Sequence, residues 1–260
     1  MDNSFWLKQS DDTPLFPDLI WSKPENRLSA GKLLIIGGNG HGFAAPAEAY
    51  QIATKAGIGT IRVMLPDSLQ KTVGTFLENA FFLPSTRSGS LAKPALAELL
   101  DHCNWADGVL LAGELGRNSE TAVLLESFTK KCSLPLVITR DSIDYFYSDP
   151  STICDRTKTT LVLSLSQLQQ LTKRLPPHRP VTFQMTVLQL ADWLHTFTQL
   201  HPCSIVVQHL AHIFVAHAGK VSTTDSTEEI WRLKTAATAS VWVIQQPGKP
   251  FEALTTALVH

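Results

Sequence analysis

The chain has 260 residues, of which 44% are hydrophobic and only 17% charged, enough apolar material for one large buried core. With 22 Lys plus Arg against 23 Asp plus Glu, it holds no cationic surplus to neutralise a nucleic-acid backbone, which argues against a nucleic-acid partner. The same near-neutrality favours association between copies over mutual repulsion, so a homo-oligomer is expected.

Residues 1–30 are polar and proline-bearing, and read as an N-terminal extension packing on a domain that runs from residue 31 to 260, with Trp6 and Trp21 as its anchors. Leu33 to Gly38 (LLIIGG) is an apolar run ending in glycines, the pattern of a buried parallel strand entering a tight turn. Ala44 to Gly57 is alanine-rich and predicts a helix closed by glycine. Thr60 to Leu65 predicts a second strand, stopped by Pro66. Strand, glycine loop, helix and strand together make one βαβ unit. Further strands are predicted at Gly108 to Ala112, Leu134 to Thr139, Thr159 to Leu163, Ser204 to Gln208 and His212 to Ala216. Helices are predicted at Ser119 to Lys131, Ser164 to Lys173, Val187 to Leu200, Glu228 to Gln246 and Phe251 to His260, and Gly219 with Lys220 marks a bend or hairpin. Strands alternating with helices predict a mainly parallel sheet covered on both faces, and the late pair of close strands predicts an antiparallel edge.

The opening residues MDNSFWLKQSDD lack the basic start and apolar centre of a signal peptide, and no apolar run approaches the roughly 20 residues of a membrane span. A cytoplasmic chain without a membrane partner is expected. Cys103, Cys132, Cys154 and Cys203 are widely spaced and form no CxxC pair, so they read as buried or incidental thiols rather than a zinc site or disulfide framework.

The glycine loop Gly37 to Gly42 (GGNGHG) lets the backbone approach a ligand closely, and the helix behind it attracts anions. It departs from the dinucleotide fingerprint, because Phe43 stands at the third glycine and Asp67 follows the second strand only after Pro66. A tight turn without a ligand explains the loop equally well. Asp141 lies at a carboxyl strand end, where α/β proteins place ligands, but serves equally as a helix N-cap. His209, His212 and His217 do not read as a metal site, since His209 and His212 would face opposite sides of one strand with no carboxylate or cysteine nearby. No metal site is evident. Ser240 has no base at a nucleophile spacing and no G-x-S-x-G context, so a serine hydrolase is not supported.

Taken in order, six segments resemble the ADP- or ATP-dependent NAD(P)H-hydrate dehydratases, which have a ribokinase-like fold and repair hydrated nicotinamide cofactors. Gly31 to Pro66 is similar to their first βαβ unit with its Gly-Ala-Pro stretch, and AGELGRN (Ala112 to Asn118) to their G-P-G-L-G-R loop. PLVITRDSI (Pro135 to Ile143) resembles their strand ending D-A-D-A-L, and TLVLSLSQLQQL (Thr160 to Leu171) the strand and helix around T-P-H-P-G-E. SIVVQHLAHIFVAHAGK looks like their V-V-L-K-G-A-G-T-V-I-A hairpin, and the segment from Thr235 to His260 like the G-T-G-D-V-L helix and the P-F-E-A-A helix after it. The resemblance implies an α/β, three-layer αβα sandwich with a mainly parallel central sheet and antiparallel edge strands. It also implies ADP or ATP, or an NADP(H)-type ligand, at ligand-binding positions Ala45, Glu114, Ser166, Thr238, Ala239 and Ser240.

Several of those positions depart from the family. The G-T-G-D run, whose amides hold phosphate and whose aspartate acts as general base, is matched to Ala237, Thr238, Ala239 and Ser240. An unassisted serine hydroxyl is a poor base at neutral pH. The middle glycine of G-P-G-L-G becomes Glu114, the histidine of T-P-H-P-G-E becomes Ser166, the lysine of K-G-A-G-T becomes His209, and its glycines become Leu210 and His212. Ala45 survives beside Pro46. The chain therefore reads as a catalytically degenerate relative, a pseudoenzyme that keeps a nucleotide ligand or a protein partner. Two alternatives stand beside it: an active dehydratase using Asp141 or Glu114 as a relocated base, and a scaffold with no small ligand.

Overall fold

The computed structural model describes residues 4–10, 12–74, 77, 79–226 and 231–259. Among them lies one ten-stranded sheet in the order β1-β10-β9-β8-β7-β6-β5-β2-β3-β4. The strands are β1 (Trp6–Gln9), β2 (Lys32–Gly37), β3 (Thr60–Pro66), β4 (Ala80–Leu83), β5 (Gly108–Gly113), β6 (Leu136–Thr139), β7 (Thr159–Ser164), β8 (Ser204–His209), β9 (His212–His217) and β10 (Lys220–Asp225). From β4 to β8 every pairing is parallel, and β9 runs antiparallel to both β8 and β10. The seven longer helices are numbered here α1 (Ala44–Lys55), α2 (Leu96–Trp105), α3 (Ser119–Lys131), α4 (Leu165–Leu171), α5 (Val187–Leu200), α6 (Arg232–Gln245) and α7 (Pro250–Thr256).

The strand period of two divides the core into layers. On β2, Leu34 and Ile36 join Phe128 of α3 and Trp193 and Phe197 of α5 on one face, while Leu33 and Ile35 pack with the alanines of α1 and α6 on the other. Small residues on α1 and α6 bring those helices close to the sheet: Ala45, Ala49, Ala53, Ala236 and Ala237 are all buried. The result is the expected αβα sandwich. Two helices start on reciprocal capping boxes, Ser164 with Gln167 and Thr186 with Gln189. The predicted helix from Glu228 begins at Arg232 among the described residues, and 228–230 lie outside them. It ends at Gln245, before Pro247.

Three strands and one helix were not anticipated: β1, β4, β10 and α2. Strand β10 (KVSTTD) hides its period because it buries hydroxyls instead of hydrocarbon. Ser222 bonds Thr255 at 2.7 Å, Trp6 Nε1 donates to Thr223 Oγ1 at 3.1 Å, and Gln9 Nε2 donates to Thr224 Oγ1 at 3.2 Å. The N-terminal anchors also differ from expectation. Trp6 is bonded into the sheet edge, but Trp21 is 87% exposed, and Leu19 makes the apolar contact with Trp242 and Ala253 in its place. No helix among the described residues is long and apolar enough to cross a membrane.

Gln9 is the residue that fastens β1. Its amide also donates to Thr255 O at 2.8 Å, and its oxygen accepts from Leu15 N at 3.0 Å. Gln9→Ala leaves buried groups on Thr224 and Thr255 without this partner, and should lower unfolding free energy by roughly 1–3 kcal/mol. Urea unfolding measures it; an unchanged midpoint would show that β1 adds nothing to the sheet.

Candidate functional site

Strand β2 has β3 on one side and β5 on the other, so the chain reverses its direction of winding there. Loops leaving the carboxyl ends of β2 and β5 diverge at that point, where open α/β sheets hold ligands. Gly37 and Gly113 are paired across the two strand ends. Gly113 has φ 101°, and a Cβ on it would sit 2.6 Å from Asp141 Oδ1, so only glycine fits.

The glycine loop is closed on itself. Asn39 and Gly42 exchange backbone hydrogen bonds at 2.9 and 3.0 Å, Gly38 donates to Gly113 O, Gly40 donates to Gly89 O, and His41 donates to Asn39 Oδ1. Every amide from Gly38 to Gly42 thus has a protein acceptor, which leaves this loop a turn and not a phosphate cradle.

Glu114 follows directly, with φ 58°, uncommon for a residue with a side chain. That backbone is fixed by Asp141, whose two carboxylate oxygens accept from Glu114 N at 2.7 Å and Leu115 N at 3.1 Å. Asn39 Nδ2 donates to Glu114 O at 2.6 Å from the other side. The Glu114 carboxylate reaches the start of α1, where Oε2 accepts from Ala45 N at 3.0 Å, and it lies 3.7 Å from Arg140 Nη2. A carboxylate there satisfies an orphan amide and meets the positive end of the helix dipole. Ala45 and Glu114 are therefore brought together, with the protein's own anion at the helix start.

Arg140 also has a left-handed backbone, φ 55°. Around it, Gln167 Nε2 donates to Arg140 O at 2.7 Å and Asp144 Oδ1 at 2.9 Å, while Gln167 Oε1 accepts from Arg232 Nη1 at 3.1 Å. Tyr147 OH donates to Asp144 Oδ1 at 2.7 Å. Burial and the Asp144 carboxylate raise the Tyr147 pKa. Burial lowers that of Arg232, and the positive charge of Arg140 lowers it further, so the two guanidinium groups repel across a shared space.

Two adjoining hollows meet over these residues. One of about 570 Å³ is lined by Asn39, Glu114, Gly116, Arg117, Asn118, Asp141, Asp144 and Tyr145. The other, about 550 Å³, is lined by Glu114, Arg140, Asp141, Asp144, Gln167, Trp231, Arg232 and Leu233. Tyr145 OH donates to Gly116 O at 2.6 Å and so holds the loop that forms the first wall.

The other positions named from sequence lie elsewhere. Thr238, Ala239 and Ser240 are buried in the middle of α6 with Ala237, and Ser240 Oγ donates to Ala236 O at 2.8 Å. Free amides occur only in a helix's first turn, and in α6 the Thr235 amide already donates to Trp231 O at 2.8 Å. Trp231 in front of the helix gives no side-chain cap. The matched run from Ala237 therefore lies past the first turn of α6. Ser166 is exposed, its Oγ 3.0 Å from Ser164 Oγ, and the neighbouring Gln167 enters the site instead. His209 and His212 stand directly opposite each other on β8 and β9 instead of on one strand. His209 Nε2 lies 2.6 Å from Met185 O, and His212 Nδ1 pairs at 2.7 Å with Asp225, a carboxylate the sequence did not bring near. No group of three or more His, Cys, Asp or Glu among the described residues is arranged to hold a metal ion.

No family model matches the chain. It superposes on a ribokinase-like superfamily protein from Enterococcus faecalis with a TM-score of 0.72 at 15% identity, covering 100% of this chain and 87% of that one. The fold is ribokinase-like. Another structural neighbour is the ADP/ATP-dependent NAD(P)H-hydrate dehydratase of Bacillus subtilis, crystallised with ATP and Mg2+: TM-score 0.64, 11% identity, 94% of this chain and 86% of that one. In sequence the chain is 26% identical over 141 residues to a bifunctional NAD(P)H-hydrate repair enzyme of Salinibacter ruber, and 28% over 145 residues to one of Methanothermobacter thermautotrophicus. These matches cover 53% and 54% of the chain but only 26% and 28% of the relatives, which are far longer than the segment they share with it.

Arg140, Asp144, Tyr145, Gln167 and Arg232 were not singled out from sequence. All but Arg232 follow closely on the carboxyl ends of β6 and β7, a position that would have marked them. Asp141→Ala removes both acceptors from the Glu114 and Leu115 amides, and should cost roughly 2–3 kcal/mol of stability. Amide exchange at Glu114 and Leu115 should rise well above that of β5; equal protection in the variant would refute the clamp.

Proposed function

We propose that this chain is a catalytically degenerate relative of the NAD(P)H-hydrate dehydratases that binds a nucleotide at the carboxyl edge of its sheet without turning over a hydrate. The observation that carries this reading is the state of the cleft carboxylates. Both oxygens of Asp141 accept backbone amides, Oδ1 of Asp144 accepts from Tyr147 and Gln167, and Oε2 of Glu114 accepts from Ala45 N while its Oε1 lies 3.7 Å from Arg140. A general base needs a lone pair aimed at the substrate proton. The first turn of α6 offers Arg232, Leu233 and Lys234, with no acid among them.

Binding draws on different groups. Arg140 and Arg232 supply paired cations that an anion between them would relieve of mutual repulsion, and a guanidinium fork suits phosphate oxygens. The first turn of α6 adds the positive end of its helix dipole on the same wall. The carboxylates of Glu114 and Asp141 favour the opposite wall for the uncharged part of the ligand, against Tyr145 and Asn39. ADP, ATP and an NADP(H)-type dinucleotide share that division into an anionic and a neutral part. The similarity to the Bacillus subtilis dehydratase crystallised with ATP and Mg2+ supports the same choice of ligand class.

A thermal-shift and calorimetric titration with ADP, ATP and NADPH tests the reading. At about 100 times its Kd, a bound nucleotide should stabilise the protein by roughly 2.7 kcal/mol. Arg232→Ala should weaken that binding at least tenfold while the apo protein keeps its fold. No saturable binding of any of the three would favour a scaffold without a small ligand.

A further inference from the structure

Four cysteines scattered along the sequence come together as two pairs. Cys103, near the end of α2, directs its thiol to Cys132, which caps the end of α3, with the sulfurs 3.9 Å apart. Cys154 and Cys203 form the second pair, joined also by Cys203 N donating to Cys154 O at 3.3 Å. The pairs differ in access. Cys154 and Cys203 are sealed in the core, whereas Cys103 is half-buried and opens the first pair to solvent.

We propose that Cys103 and Cys132 are a peroxide-oxidisable dithiol that closes to a disulfide in the folded protein. The bond needs the sulfurs to approach from 3.9 Å to about 2.05 Å. Arg156 lies against the pair, its Nη2 donating to Cys132 O and Leu134 O, each at 2.6 Å. The hydrogen bond from Cys103 holds the Cys132 thiol below its ordinary pKa, at about 6, and the Arg156 charge adds to this. A thiolate is the form that reacts.

The chemistry balances with hydrogen peroxide as oxidant. One sulfur of the pair, as thiolate, attacks a peroxide oxygen. The O–O bond breaks, a sulfenic acid forms, and the hydroxide released takes up the proton and leaves as water. The second sulfur displaces the sulfenic hydroxyl, which departs with the remaining thiol proton as another water, and the S–S bond forms. Two thiols are oxidised and one peroxide is reduced to two waters.

The closed ring would contain β5, the loop from Glu114 to Asn118 and all of α3. One wall of the nucleotide cleft thus lies inside the covalent loop, although the sulfurs sit at the far end of α3, about 20 Å from its start at 1.5 Å per residue. Oxidation therefore acts on that wall through the element that carries it.

Folded wild-type protein is treated with hydrogen peroxide, alkylated, digested and mapped without reduction. The expected product is a peptide pair joined through Cys103 and Cys132, cleared by dithiothreitol and absent from Cys103→Ser, while Cys154 and Cys203 are recovered as free thiols after denaturation. Recovery of Cys103 and Cys132 unlinked, or a link formed first between Cys154 and Cys203, would overturn the proposal. The wild-type map decides it even if the variant fails to fold.

Discussion

The Asp141 carboxylate, set at the end of β6, holds the backbone turn at the end of β5, and the site is built from that contact. By taking the amides of Glu114 and Leu115 it forces Glu114 into a left-handed backbone conformation and directs its side chain toward α1. It explains why Gly113 must be glycine, because any side chain would strike the same carboxylate. Two strands, one helix start and the cleft between them are thus fixed by one side chain, and charge-assisted hydrogen bonds are the strong kind that can do so.

The clamp also shapes the chemistry left to the cleft. Carboxylate lone pairs already taken by protein donors are not aimed at a ligand's proton. Glu114 fills an anion position at the start of α1 that a ligand's phosphate would otherwise seek. The cations Arg140 and Arg232 line the same hollow, and the charge of Arg140 is felt at Arg232. On the proposed reading, two guanidinium groups beside described carboxylates that are engaged by protein donors suit retention of a ligand more than its conversion.

Sheet and layers were legible because their signals are periodic and apolar: LLII, GVLLA and SIVVQ can hardly be anything but buried strands. The edge was less legible. Strand β10 buries serine and threonine, and β1 is paired through Gln9 and Trp6, so neither shows hydrocarbon alternation. At the site, Glu114, Asp141 and Ala45 were found from the resemblance and strand-end logic, but the interaction joining the first two is made by backbone amides, which no side-chain pattern displays. Ala237 to Ser240, matched to a phosphate loop, lie in mid-helix, as the helix predicted from Glu228 to Gln246 already implied. Thiol pairing was equally hidden, for Cys103 and Cys132 belong to different helices that meet only in the folded chain.

The central claim of the proposal is that the described carboxylates of this cleft, Glu114, Asp141 and Asp144, are engaged by protein donors and not placed as a proton acceptor for dehydration. Incubating the purified protein with NADPH hydrate and ATP or ADP, and following absorbance at the reduced nicotinamide band, tests it most directly. No recovery of NADPH beyond the protein-free reaction is expected. Recovery that scales with protein concentration, and disappears in Glu114→Gln or Asp141→Ala, would contradict it.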